Sequence, residues 1–304
     1  MKEKLQQLIN LLSQGMVERE ETARLALLSL LAGENILLIG PPGTGKSMIA
    51  RRLADCLVEP EQDSDHQHYF EYLLTKFSTP EEIFGPLSIS ELKQNRFKRN
   101  ISGYLPSVQV GFLDEIFKAS SSILNALLTI LNERKYHNGT EVVDVPLRCL
   151  IAASNELPIG QSELEALYDR FLVRVFVGYV SKDNRMQFFQ PMEMPEIPLA
   201  FKLTRADLNI VRAGAQKVTV PDEIAKLVLQ IWKEHAETFK EDSREYLSDR
   251  RLHKVINLMR VSALTNNRAE VDYSDVLLLK NCLWNSEENV PKTTKLIKRN
   301  LSKN

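Results

Sequence analysis

The plainest chemistry in the chain lies in Gly40-Pro41-Pro42-Gly43-Thr44-Gly45-Lys46-Ser47, with Met48 carrying it into a helical pattern. The run matches GxxxxGK[ST] in full. Its glycines let the backbone turn tightly and aim several N–H groups at one point, where phosphate oxygens accept them. A helix opening directly behind the loop adds positive potential for an anion. Lys46 supplies a compact charge for β- and γ-phosphates, and the Ser47 hydroxyl can ligate Mg²⁺. A Gly-rich turn with a chance Lys-Ser would share the composition but not the full pattern between a strand and a helix.

Two further runs end in polar groups suited to hydrolysis. Val110-Gly-Phe-Leu113-Asp114-Glu115 is apolar until its two carboxylates. Alone it says little, because many strands end in acidic loops. About 65 residues after a phosphate loop it says more, since strands of one sheet bring such motifs together. Asp114 can hold the Mg²⁺ water shell, and Glu115 can polarise an attacking water as general base. Ile151-Ala-Ala-Ser154-Asn155 ends in an amide that can contact a γ-phosphate or orient the water. A turn-forming Asn before Glu156-Leu157-Pro158 reads the same way.

These residues need a scaffold, and the hydrophobic pattern provides one. Short β-like runs lie at 36–39, 70–75, 110–114, 147–154 and 171–177, and most are nearly continuous apolar stretches, as expected for central strands of a parallel sheet. Helical spacing covers 46–57, 121–131 and 162–169 between them. Asn138-Gly139, flanked by 142–145, predicts a β-hairpin at about 135–146. Three prolines, Pro191, Pro195 and Pro198, rule out a regular helix or inner strand there. Beyond them only helical patterns appear, at 223–237, 249–265 and 274–284. The expectation is a three-layer α/β/α core over 1–190, a linker over 191–199 and a smaller all-α lid over 200–304.

Composition sets the outer limits. The chain has 304 residues, 43% hydrophobic and 26% charged, with net charge −1. That is enough to bury a core without disulfides or structural metal. No apolar run approaches the ~20 residues that span a bilayer. The start, Met-Lys-Glu-Lys, reads as free of a secretion signal. Cys56, Cys149 and Cys282 are scattered, as reduced thiols of a cytoplasmic protein would be, and Cys149 reads as core. Near-neutral charge disfavours a dedicated nucleic-acid protein. His66 and His68 could ligate metal, but a small polar loop explains them as well. The basic tail 292–303 reads as a frayed terminal helix rather than a membrane or nucleic-acid arm.

Together the motifs resemble those of AAA+ ATPases, and within them the MoxR family. The resemblance covers most of the chain and implies the P-loop NTPase fold, ATP or ADP with Mg²⁺, and a homo-oligomer, usually a hexameric ring. Residues 40–47 resemble Walker A, 110–115 Walker B, and Asn155 sensor 1. Leu167-Tyr-Asp169-Arg170-Phe171 is similar to the family's arginine-finger segment, with Arg174 a second candidate; a surface pair of Arg170 with Asp169 is the plainer reading. Thr79-Pro80-Glu-Glu-Ile-Phe-Gly85-Pro86 resembles the start of the helix-2 insert, running to about Pro106. Gly15-Met16-Val17-Glu18-Arg19 resembles the segment whose backbone borders the adenine, which makes Val17 a contact candidate.

Segments 77–82, 85–89, 102–106, 153–158, 164–170 and 279–284 resemble the RavA (regulatory ATPase variant A) branch. RavA proteins continue past the lid, so this chain reads as the motor without that appendage. Where most MoxR proteins carry Ser-Pro-Arg, this lid has Ser248-Asp249-Arg250-Arg251, and Arg250 is the sensor 2 candidate. The resemblance implies chaperone-like remodelling of a protein partner, often one with a von Willebrand factor A (vWA) domain. Two other functions remain open: a DNA-acting motor using Lys93-Gln-Asn-Arg96-Phe97-Lys98-Arg99, and a nucleotide-gated scaffold with little hydrolysis.

Overall fold

The computed structural model describes residues 2–58, 68–158 and 162–303. Five strands form its sheet: β1 (Asn35–Ile39), β2 (Tyr69–Leu73), β3 (Val110–Asp114), β6 (Cys149–Ser154) and β7 (Phe171–Phe176). All neighbours run parallel, in the order β2-β3-β6-β1-β7. Each lies within two residues of its expected range. β1 and β6 are buried throughout, because successive side chains enter opposite hydrophobic clusters. Ile36 and Leu38 face one cluster, Leu37 and Ile39 the other. The register aligns the strand ends: Ile39 lies beside Ser154, and Leu113 beside Ala152.

Helices α1 (Lys2–Ser13), α2 (Glu20–Ala32) and α3 (Lys46–Ala54) pack with the first cluster. The second lies under α4 (Pro80–Phe84), α6 (Ser121–Glu133) and α7 (Ser162–Tyr168). The insert holds only a short helix, α5 (Ile89–Leu92). It is bolted to the hairpin of β4 (Lys135–Asn138) and β5 (Glu141–Asp144). The buried Asn138 amide accepts Arg99 N–H at 2.7 Å and donates to Arg99 O at 3.0 Å. Gly139 packs so closely that a Cβ there would lie 2.2 Å from Phe97 O.

The lid comprises α8 (Arg205–Ala215), α9 (Asp222–Thr238), α10 (Asp249–Thr265), α11 (Tyr273–Val276) and α12 (Val290–Leu301). Leu208, Ile224, Val255 and Ile297 belong to the same cluster as Ile36 and Leu38, so lid and core share one apolar interior. Two expectations are corrected here. The run 274–284 is not one helix: after α11 it tightens into a 3-10 turn (Leu277–Asn281) and then leaves helical geometry. That unwinding brings Trp284 flat against Phe176, 4.9 Å between ring centroids. Nor is the tail frayed. In α12, Thr293, Leu296, Ile297 and Asn300 are buried, and Arg299 pairs with Glu234. All three cysteines are free and buried, and burial pushes the Cys149 and Cys282 thiols up to about 12.

Arg174 joins the two halves. It is wholly buried on β7. Its Nε donates to Phe171 O (3.1 Å) and its Nη2 to Tyr168 O (3.3 Å). Its Nη1 donates to Trp284 O and Asn285 Oδ1 on the lid side. The guanidinium carbon lies 3.9 Å from the Tyr168 ring centroid. Burial brings the pKa down to about 10, still charged at neutral pH. Arg174→Ala should therefore lower unfolding stability by about 3 kcal/mol, since it opens a cavity and orphans buried acceptors. Urea denaturation checks this, and a loss below about 1 kcal/mol would contradict the joint.

Candidate active site

The phosphate loop springs from the end of β1. Gly40 lies so close to β7 that a Cβ would stand 2.2 Å from Val177 O. Its N–H donates to Ser154 O at 3.0 Å, tying the loop to β6 as well. Lys46 is buried, and its Nζ donates to Gly40 O (2.6 Å) and Pro41 O (2.9 Å). Burial lowers its pKa, while Asp114 and Glu115 pull the other way. The two carboxylates thus act electrostatically on the loop ammonium, as the strand order requires.

At the end of β3, Asp114 Oδ1 accepts the Glu115 N–H at 2.9 Å. Glu115 has φ 54°, a left-handed conformation that is strained for a non-glycine residue. The twist sends its carboxylate across to β6. There Glu115 Oε1 accepts Asn155 Nδ2 at 2.6 Å, and Lys118 Nζ stands 3.3 Å from Oε2. Ser47 and Asp114 are half-buried oxygen donors of the kind Mg²⁺ takes. Among the described residues, no cluster of three or more His, Cys, Asp or Glu could hold a metal by itself. His66 lies outside the described residues, and His68 Nδ1 meets Gln109 Nε2 at 3.3 Å.

The arginines separate into distinct roles. Arg170 Nη1 donates to Asp169 Oδ2 at 3.2 Å, and its buried Nε has no hydrogen-bond partner. Burial, then the neighbouring Arg250, lower its pKa. Among the described residues, Arg250 reaches only Asn132 Oδ1, at 3.4 Å on the surface. Arg251 is the buried one: it donates to Asp169 Oδ1 (2.7 Å) and Asn285 Oδ1 (2.9 Å). Arg251, not Arg250, lines the cleft of about 840 Å³ that Ile39 and Asn155 also line. Arg174 is corrected outright as a finger: sealed between β7 and the lid, it has no surface to offer a neighbour.

Two side chains of the Gly15-to-Arg19 segment, which the sequence marked only through its backbone, make close contacts beside the loop. Arg19 Nε donates to Thr44 O (3.0 Å) and Nη2 to Gly178 O (2.6 Å), so it clamps the loop to the chain after β7. It binds main-chain carbonyls, which leave no trace in residue types. Glu18 takes Ser181 and Asn184 side chains, which hold its pKa down at about 2. Val17, beside them, is buried and lines a hollow of about 600 Å³ with Gln187 and Met192.

Comparison with known proteins now decides the family. The MoxR domain found in MoxR–vWA–beta-propeller ternary systems matches residues 3–192. The chain belongs to the MoxR family of AAA+ ATPases. An AAA lid domain matches 223–297 of this MoxR protein. Two Methanocaldococcus jannaschii proteins, the uncharacterized MJ0079 and MJ0812, are each 39% identical to it. The matches cover 97% of this chain and 73% of the first, and 90% of this chain and 69% of the second. A structural protein, ORF618, of Acidianus two-tailed virus is 31% identical, over 63% of this chain and 32% of its own length. A Cytophaga hutchinsonii crystal structure, assigned as an ATPase, has the same fold. Its TM-score is 0.72 at 20% identity, covering 100% of this chain and 94% of that one.

The Arg19 clamp generates a prediction for this MoxR protein. Arg19→Met should weaken ADP binding about tenfold, the scale of one lost charge-assisted hydrogen bond. The far-ultraviolet circular dichroism should not change. Isothermal titration checks it, and unchanged affinity would make the clamp irrelevant to the loop.

Proposed function

We propose that this chain hydrolyses ATP with Mg²⁺ in an oligomeric ring, with a chaperone-like role that remodels or loads a protein partner. The observation that carries this reading is the 2.6 Å hydrogen bond between Glu115 and Asn155. The contact shows that the carboxylate and the amide converge on one spot, where a water could accept from the amide and give its proton to the carboxylate once their direct bond opens. The loop N–H groups and Lys46 would cradle the phosphates, with Val17 and its neighbours beside the adenine. Ser47 and Asp114 would hold Mg²⁺, which when bound offsets negative charge on the β- and γ-phosphates. The intact Glu115 weighs against a scaffold with little hydrolysis.

Arg170 is proposed as the finger for a neighbouring subunit's γ-phosphate in a hexameric ring. Its support is a guanidinium steadied by Asp169 that, unlike Arg174, keeps part of its surface open to solvent. Arg251 replaces Arg250 as the nucleotide-sensing candidate of the lid. The prolines 191–198 are proposed as the division between core and lid. The segments quoted above support a reading of the chain as nearest the RavA branch, and its free thiols favour the cytoplasm. The match to MoxR domains of vWA-containing systems supports a vWA-domain partner. No helix among the described residues is long and apolar enough to cross a membrane. The DNA reading loses its main support, because Arg96, Lys98 and Arg99 are paired with Glu91, Glu141 and Glu81.

Glu115→Gln should cut ATP turnover at least 100-fold, as loss of a general base does, while ATP still binds. Arg170→Ala should be equally slow alone. Mixing the two variants should restore activity, because each lacks what the other supplies across an interface. Chelation of Mg²⁺ should stop turnover throughout. Equal turnover in Glu115→Gln and wild type would remove Glu115 from the mechanism, and no recovery on mixing would remove the finger.

A further inference from the structure

A cleft of about 700 Å³ opens between core and lid at the N-terminal ends of the strands, opposite the phosphate loop. Its core wall carries Arg134, at the end of α6, and Arg148, leading into β6; its lid wall carries Arg205 and Arg212 of α8 and Lys254 of α10. The one carboxylate on the lining, Glu34, is already taken by Lys254 at 2.7 Å. Among the described residues, none of the four guanidiniums has a carboxylate partner.

Two of them are also half-buried. Arg134 gives Nη2 to Gly33 O at 3.1 Å, while its buried Nη1 has no hydrogen-bond partner. Its backbone is left-handed, φ 55°, where it caps the end of α6. Burial lowers the Arg148 pKa first, and then Arg205 and Arg212 lower it further across the cleft. In a chain of net charge −1, four guanidiniums and Lys254 gathered around the single carboxylate Glu34 repel one another, and the buried Nη1 of Arg134 is left unmet.

We propose that this cleft is an anion site for a compact polyphosphate, which bridges core and lid on the face opposite the nucleotide. Guanidinium forks match tetrahedral phosphate oxygens, with several donors each. A single carboxylate would answer only one of four charges. The volume falls in the range of small-molecule sites, and the site lies between two walls rather than along an open stripe, which suits a compact ligand over a duplex. A bound polyphosphate would turn mutual repulsion into a clamp, drawing Arg205 and Arg212 toward Arg148.

The probe is tripolyphosphate, titrated into the full chain carrying Lys46→Ala so that the nucleotide loop does not report. Saturable binding of one equivalent is expected, with a raised unfolding temperature that sodium chloride of equal ionic strength does not reproduce. Arg148→Ser/Arg212→Ser in the same background should bind at least tenfold more weakly. Without anion, its unfolding temperature should equal or exceed that of the parent, because repulsion is relieved. If that double variant fails to fold, the exposed Arg205→Ser should still weaken binding at least threefold. Absence of saturable binding, or binding unchanged in these variants, overturns the proposal. A short DNA duplex that binds more tightly than tripolyphosphate, with the same dependence on Arg148 and Arg212, overturns its assignment to a compact anion.

Discussion

One guanidinium sealed from water sets how the core and lid of this protein meet. Arg174 can stay charged inside only because carbonyls of α7, β7 and the lid, with the Asn285 amide, converge on it. Those acceptors are not free to move singly. Asn285 also receives Arg251, whose other branch grips Asp169, the residue that steadies Arg170. Behind Asn285, buried Glu245 accepts the N–H groups of Asn285 and Ser286. The positions of the finger candidate and of the lid arginine thus descend from one buried charge. A weaker constraint would leave both on mobile surface side chains.

The same constraint explains what could be read from the sequence and what could not. Four of the strands were legible because each is an apolar run buried on both faces, β2 at the sheet edge being only partly covered. Asp114, Glu115 and Asn155 were legible because they end such runs. Their meeting was implied by strand order, which the parallel register supplies. Arg174 was misread because an arginine in an apolar run looks available until its acceptors are known. Three of those acceptors are backbone carbonyls, invisible to residue type. Arg19 was missed for the same reason. The break after Val276 was missed because its apolar spacing stays helical; tertiary stacking of Trp284 on Phe176 overrode local preference.

A shared interior limits how the lid can respond to nucleotide. Helices α8 and α10 pack into the cluster that also lies under β1 and β3. Swinging the lid away as a rigid flap would expose that apolar surface, at ~25 cal/mol for each Å². Smaller displacements are cheaper: a polar tie at the rim such as Lys4 with Asp207 is part-exposed and can exchange with water. The mechanics therefore favour sliding and rotation about the Arg174 joint over hinged opening.

The loop itself shows where such a displacement would begin. Lys46 now spends its charge on two neutral carbonyls, Gly40 O and Pro41 O. A phosphate offers a formal negative charge in their place, and charge-assisted bonds are roughly twice as strong as neutral ones. The ammonium should leave the carbonyls for the phosphate, freeing Gly40 O and Pro41 O at the root of the loop. Gly40 is hydrogen-bonded to β6, and Thr44 to Arg19 and so to the chain after β7. A change at the loop therefore reaches the strand that carries Asn155 and the strand that carries Arg174 through direct bonds, with no longer pathway needed.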